Sequence, residues 1–125
     1  MRLLGLLLPL LAIGGLQLLS SRTPSQLPTL PAAAAGGDKV AHAIAYALLL
    51  SCFRGWRGWR ARPGEWIPGA AAAALLVAAG DELHQGLVPG RTPDFADLLA
   101  DGVGIGVAAL LWWWGSVRWG HRRLS

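Results

Sequence analysis

Cysteine, tyrosine, phenylalanine and acidic side chains are all scarce in this chain: one, one, two and seven in 125 residues. A lone Cys52 excludes an internal disulfide, and its place inside an apolar block makes it a packing residue. No C-x-x-C pair, zinc-type spacing or glycine-rich phosphate loop occurs, which leaves no ground for a zinc module or a P-loop nucleotide fold. The length allows one domain or a small bundle.

Apolar residues are plentiful, at 54%, and they are gathered into blocks. Stretches of roughly 17–25 apolar residues match the hydrocarbon core of a bilayer, so the chain reads as an all-α, four-transmembrane-helix bundle whose first partner is lipid. A formal charge of +4 often signals nucleic acid, but here the arginines flank the apolar blocks, so no nucleic-acid partner is expected. The abundance of Gly and Ala suits close helix packing in lipid.

Residues 1–19 form the first transmembrane helix. The basic start and apolar run resemble a signal peptide, yet no small-x-small site follows Leu18-Leu19-Ser20-Ser21-Arg22, so a retained helix is expected. Residues 20–37, rich in Pro, Ser and Ala, read as an extracytoplasmic linker with a short helical patch at Ala32–Ala35. Residues 38–115 hold three more helices. The block from Lys39 to Phe53 covers only about 22 Å, short for a span, and Arg54 to Gly64 reads as a basic, turn-containing loop. The third block runs from Trp66 to Leu83 and is followed by a tight turn over Gly86–Arg91. Thr92 is expected to cap the fourth helix, with Pro93 at its first position and its end near Gly115. Residues 116–125 form a basic tail.

Arginine placement orients the bundle. The segment 54–62 holds four arginines and the tail holds Arg118, Arg122 and Arg123, whereas the other loops share Arg22, Lys39 and Arg91. Both termini and the 54–64 loop are therefore expected in the cytoplasm. Trp56, Trp59, Trp66, Trp112, Trp113, Trp114 and Trp119 fall near the same helix ends, where indoles anchor at the interface.

Six of the seven carboxylates then converge on the outer face. Asp38 and His42 open the second helix, Asp81, Glu82 and Gln85 close the third, and Asp94, Asp97 and Asp101 open the fourth. Asp38, His42 and Tyr46 stand four apart on one stripe; Asp94, Asp97 and Asp101 follow i, i+3, i+7 and reach about 10 Å inward; Asp81 and Gln85 are an i, i+4 pair. Three polar stripes of this kind line a recess, and intramembrane carboxylates are functional by default. Each residue also has a plain reading. Asp94 serves the helix dipole, Lys39 snorkels unless it pairs with an aspartate, and Tyr46 is a core residue whose hydroxyl finds a partner. His84 is a bystander and His121 is solvated. Arg91 is expected to pair with the nearby acids. Gly102, Gly106 and the Gly104/Ala108 pair admit a neighbouring helix.

The run Asp38-Lys39-x-x-His42-x-x-x-Tyr46, then Asp81-Glu82-x-x-Gln85, Pro89-Gly90-Arg91, Asp94, Asp97 and Gly102-x-Gly104, resembles the VanZ-like family of small bacterial membrane proteins, over roughly residues 38–106. The resemblance implies a multi-pass protein of the cytoplasmic membrane, in a family whose namesake is associated with low-level resistance to the glycopeptide teicoplanin and to which no enzymatic activity is firmly attached. Two positions depart from the family pattern: Asp101 stands where Asn is common, and Ala43 where an aromatic residue is common.

The leading expectation is a recess that recognises an envelope component such as a lipid-linked glycan or a peptidoglycan precursor. In it, Lys39 and Arg91 grip phosphate or carboxylate, and the aspartates accept from sugar hydroxyls. An intramembrane hydrolase or transferase is the alternative, with His42 oriented by Asp38 as base, Asp81 or Glu82 as acid, or a divalent cation held by the carboxylates. Ser51 and Cys52 lie toward the other membrane face, so such an enzyme would activate water. A purely structural lock ranks third, and an ion or proton pathway, formed with the help of a homo-oligomer, ranks last.

Overall fold

In the computed structural model four helices account for most of the chain, and the structure describes residues 2–22, 36–57 and 61–121. They are α1 (Arg2–Ser20), α2 (Gly37–Arg57), α3 (Pro63–Gln85) and α4 (Phe95–His121). Among the described residues there is no strand. The expected helical patch at 32–35, Trp59 and the side chains of Trp119 and His121 lie outside what is described.

Two boundaries differ from the expected ones. First, α2 does not stop at Phe53. It continues through Arg57, so its 21 residues reach about 31 Å at 1.5 Å per residue. The extra turn is held from two sides. The guanidinium of Arg54 lies over the rings of Trp112 and Trp66, 4.5 and 5.6 Å from their centroids. On the other side Gly5 of α1 approaches so closely that a Cβ there would sit 2.6 Å from the Gly55 carbonyl oxygen.

Second, α4 is capped by Asp94 and not by Thr92. The Asp94 carboxylate accepts the Ala96 N–H at 2.8 Å, and its carbonyl accepts the Asp97 N–H at 2.9 Å. Thr92 and Pro93 stay in the connection, where the Pro93 ring packs against Gly86. The helix also runs past Gly115 to His121.

The α3–α4 connection is tight, as expected. The Arg91 N–H donates to the Val88 carbonyl at 3.1 Å with Gly90 at φ +79°, a type II turn in which Pro89 presets the first bend and Gly90 takes the left-handed position. Glu65, the one acid apart from the others, accepts the Arg62 N–H at 3.1 Å and so serves the start of α3.

Helix α2 is the hub and touches the other three, most extensively α4. Tyr46, Leu49, Leu50 and Phe53 of α2 meet Trp66, Ala70, Ala74 and Ala78 of α3 and Ile105 and Ala108 of α4 in one core. The Ala70–Ala74–Ala78 stripe, spaced by four, keeps α3 close to its neighbours. Where it nears the helix end it continues into buried Asp81, Glu82 and Gln85. The closest approach is between α4 and α2: a Cβ on Gly104 would lie 1.9 Å from the Ala43 carbonyl oxygen. Gly102 and Gly106 do not share this role, since a Cβ on either meets open space. Two residues along a helix is about 200° of rotation, so both face away from the contact.

The exterior is apolar. Leu4, Leu11, Leu48, Leu76, Val103 and Leu110 are all largely exposed. Helix α3, and α4 from Phe95 to Arg118, are long and apolar enough to cross a membrane. The described apolar part of α1, Leu4–Ser20, is shorter, and α2 is interrupted by Asp38, Lys39, His42, Arg54 and Arg57. Two helices of the expected four thus meet the criteria for a span. The tryptophans also divide. Trp113 and Trp114 are exposed, as anchors would be, but Trp66 is buried edge-on against Trp112 with centroids 6.1 Å apart.

Candidate functional site

The ends of α2, α3 and α4 that carry the acids meet at one end of the bundle, and the end of α1 joins them. An outer layer centres on Lys39. Its Nζ donates to Asp94 at 2.7 Å, to Asp38 at 3.3 Å and to Asp97. Lys39 is therefore not a snorkelling marker; its single positive charge is shared among three carboxylates, one each from α2, the α3–α4 connection and α4. The Asp94 carboxyl, in the connection before α4, is held below the usual carboxylate range by Lys39 first and by the Ala96 N–H second.

One turn further in, His42 Nδ1 lies 2.8 Å from Asp101 Oδ1, and Nε2 is 3.8 Å from Asp97. Asp101 is only 1% exposed. The expected pairing of His42 with Asp38 is thus replaced by one across helices. Asp38 sits in the wet first turn beside Lys39, where an i, i+4 pair contributes only about 0.2–0.5 kcal/mol. Asp101 is buried and demands a partner.

The third group belongs to α3. Asp81 accepts from the Gln85 amide at 3.3 Å, as the i, i+4 spacing suggested, and also from the Gln17 amide of α1 at 3.2 Å. Glu82 Oε2 accepts the Asp94 N–H at 2.8 Å, tying α3 to the start of α4. Its other oxygen, Oε1, has no hydrogen-bond partner among the described residues, and neither has the Tyr46 hydroxyl. Tyr46 is in the core, as expected, but its hydroxyl is unsatisfied there.

Arg91 does not join the acids. It donates to the Ser20 carbonyl at 3.3 Å, and among the described residues its guanidinium makes no ion pair. His84 is engaged apart from the cluster, with its Nε2 2.9 Å from the Ser21 hydroxyl. Ser51 lies well away, accepting the Trp112 indole N–H at 3.0 Å and donating to the Ala47 carbonyl.

Gln17 is the residue that the pattern of acids did not reveal. It is the only polar side chain between Leu3 and Leu19, and a polar group inside an apolar helix requires a partner on another helix. That signal was in the sequence, carried by a single neutral residue. As for metals, no three His, Cys, Asp or Glu side chains among the described residues are grouped so as to hold an ion.

Four helices with an apolar exterior and an ion-pair cluster at one end, half-exposed at Lys39 and buried at Asp101, define a small helical protein of membrane type. A VanZ/LLP1 family model matches residues 4–116, and the chain belongs to that family. The match includes α1, which the motif resemblance over 38–106 left out. No curated protein and no solved structure matches the chain.

Proposed function

We propose that all four helices cross the membrane with both termini in the cytoplasm, and that the polar cluster faces outward to recognise a cell-envelope component. Arginine and tryptophan placement supports the orientation. The observation that carries the functional reading is the excess of acceptors. Six carboxylates are gathered with one lysine and one histidine, both already paired, while Arg91 is turned to a backbone carbonyl. Such a cluster suits a ligand rich in hydroxyl donors, as a lipid-linked glycan or the glycan of a peptidoglycan precursor is, better than a bare phosphate.

The test is saturable binding of a fluorescent lipid-linked disaccharide to the purified protein in detergent. Wild type is expected to saturate and Asp97→Ala to bind at least tenfold more weakly; a flat wild-type titration overturns the proposal. A part in glycopeptide susceptibility belongs to the same reading. A deletion strain complemented with Asp97→Ala should then show the teicoplanin response of the deletion, not of the wild type.

A further inference from the structure

The inner half of the cluster is short of positive charge. Lys39 is committed to Asp38, Asp94 and Asp97, and His42 to Asp101 with Asp97 behind it. Asp81 is left with two carboxamides, from Gln17 and Gln85, and Glu82 with a single backbone N–H. All of these donors are neutral, and the one cation whose charge also reaches them, His42, is already engaged with Asp101 and Asp97. Yet Asp81 and Glu82 are 5% and 8% exposed, and they are neighbours in the chain. Carboxylates buried beside apolar helices carry a heavy desolvation penalty unless a counter-charge meets them.

Two further atoms indicate what is missing. Glu82 Oε1 and the Tyr46 hydroxyl are buried without partners. Tyr46, 1% exposed, stands one turn beyond His42 on α2, in the core that also holds Ala78, one turn before Glu82. An unmet acceptor and an unmet hydroxyl therefore lie toward the same end of the core, where carboxylates outnumber cations. A multidentate metal ion does not fit, because no three ligating side chains among the described residues are suitably grouped. A compact organic cation bearing its own N–H donors has the matching chemistry. It offers hydrogen bonds to Glu82 Oε1 and to the Tyr46 oxygen, and its charge balances Asp81 and Glu82. A quaternary ammonium has no N–H to offer and satisfies neither atom.

We infer that Glu82, Tyr46 and Asp81 form a subsite for a primary ammonium group. Asp94, whose N–H holds Glu82 Oε2, has a half-exposed side chain, so the subsite lies just beneath the end of the bundle. The inference deepens the reading above by naming a group on the envelope component, and depends on it only for the side of the membrane. Such an ammonium has two sources: the ethanolamine headgroup of a phospholipid, or an amine on an envelope precursor.

The test uses the full chain. In detergent, methylammonium chloride should raise the unfolding temperature by several degrees over tetramethylammonium chloride at equal ionic strength. Glu82→Gln and Tyr46→Phe should each abolish that difference; Tyr46→Phe leaves every carboxylate in place and serves if Glu82→Gln does not fold. In nanodiscs, a matching gain with phosphatidylethanolamine over phosphatidylcholine assigns the headgroup as the source. A response to the soluble amine without a lipid difference assigns the precursor amine. Equal responses to methylammonium and tetramethylammonium overturn the subsite, as does a selective response undiminished in both variants. A carboxylic-acid infrared band in wild type that vanishes in Glu82→Gln also overturns it, because a proton then fills the place of the cation. Loss of amine selectivity with glycan binding intact removes the subsite alone; the reverse removes only the glycan reading.

Discussion

Lys39 and His42 stand three residues apart on α2, opposite Asp94, Asp97 and Asp101 at the start of α4, so a basic stripe is laid against an acidic one. The i, i+3, i+7 spacing made the acidic stripe legible in the sequence, but on α2 the stripe read was Asp38, His42 and Tyr46, and neither the Lys39–His42 face nor its pairing with α4 was legible. Spacing ranks neighbours on one helix, and the decisive term is burial on two. Asp101 is the deepest member of the pairing, and its removal leaves His42 without its nearest partner. Asp101→Ala should cost roughly 3 kcal/mol of stability, in line with breaking a buried pair. Asp101→Asn, which keeps an acceptor for the ring, should cost less than about 1 kcal/mol. Thermal or denaturant unfolding of the two variants in one detergent checks the difference.

Asp94 supplies a pH prediction with a definite sign. Its carboxyl titrates lower in the folded chain than when free, because Lys39 and the Ala96 N–H favour the charged form. The stabilisation is complete above the ordinary aspartate range, near 4, and is lost as the pH falls from there through the lowered folded value. Wild type should therefore be more stable than Asp94→Ala at pH 6, with the gap closing as the pH falls below about 4. Melting curves of both proteins across that range measure it, and a gap that widens toward acid would contradict the assignment.

At the scale of the elements, the helices were easier to read than their ends. Block hydrophobicity located all four, yet α2 runs on into a segment whose Arg, Gly and Trp composition resembled a loop. What extends it is tertiary: the Arg54 contacts with Trp66 and Trp112 and the Gly5–Gly55 crossing, none visible from local composition. The same holds for the glycines of α4. Three of them stand two apart, and only the facing direction of Gly104 makes it the contact. Gly104→Ala should force α4 off α2 and cost about 3 kcal/mol, the upper end for overpacking. Gly102→Ala, with open space around it, should be neutral or stabilising by about 1 kcal/mol, since alanine is the better helix former. Paired unfolding measurements test the contrast. Helix α1 earns its place in the site through one amide, and a reading built on charged residues passed over it.

For the whole molecule, the proposed orientation decides which side of the membrane the cluster faces. After Cys52→Ser, a cysteine at Leu87 in the α3–α4 turn should react with a membrane-impermeant maleimide on intact spheroplasts. A cysteine at Arg62, before α3, should react only after permeabilisation; the opposite pattern would invert the topology.

The cross-helix pairs also have a direction along the chain. Gln17 precedes Asp81 by 64 residues, Lys39 precedes Asp97 by 58, and His42 precedes Asp101 by 59. During synthesis the neutral or basic member of each pair is made first, and its aspartate emerges from the ribosome later. A lone carboxylate in an apolar helix carries an insertion cost, which reaches about 2.5–3.5 kcal/mol at the helix centre and is smaller near the ends, where these three lie. In the proposed four-span arrangement, the side chains that will receive Asp81, Asp97 and Asp101 are already in the chain when α3 and α4 enter the membrane. The order of the sequence thus doubles as an order of assembly.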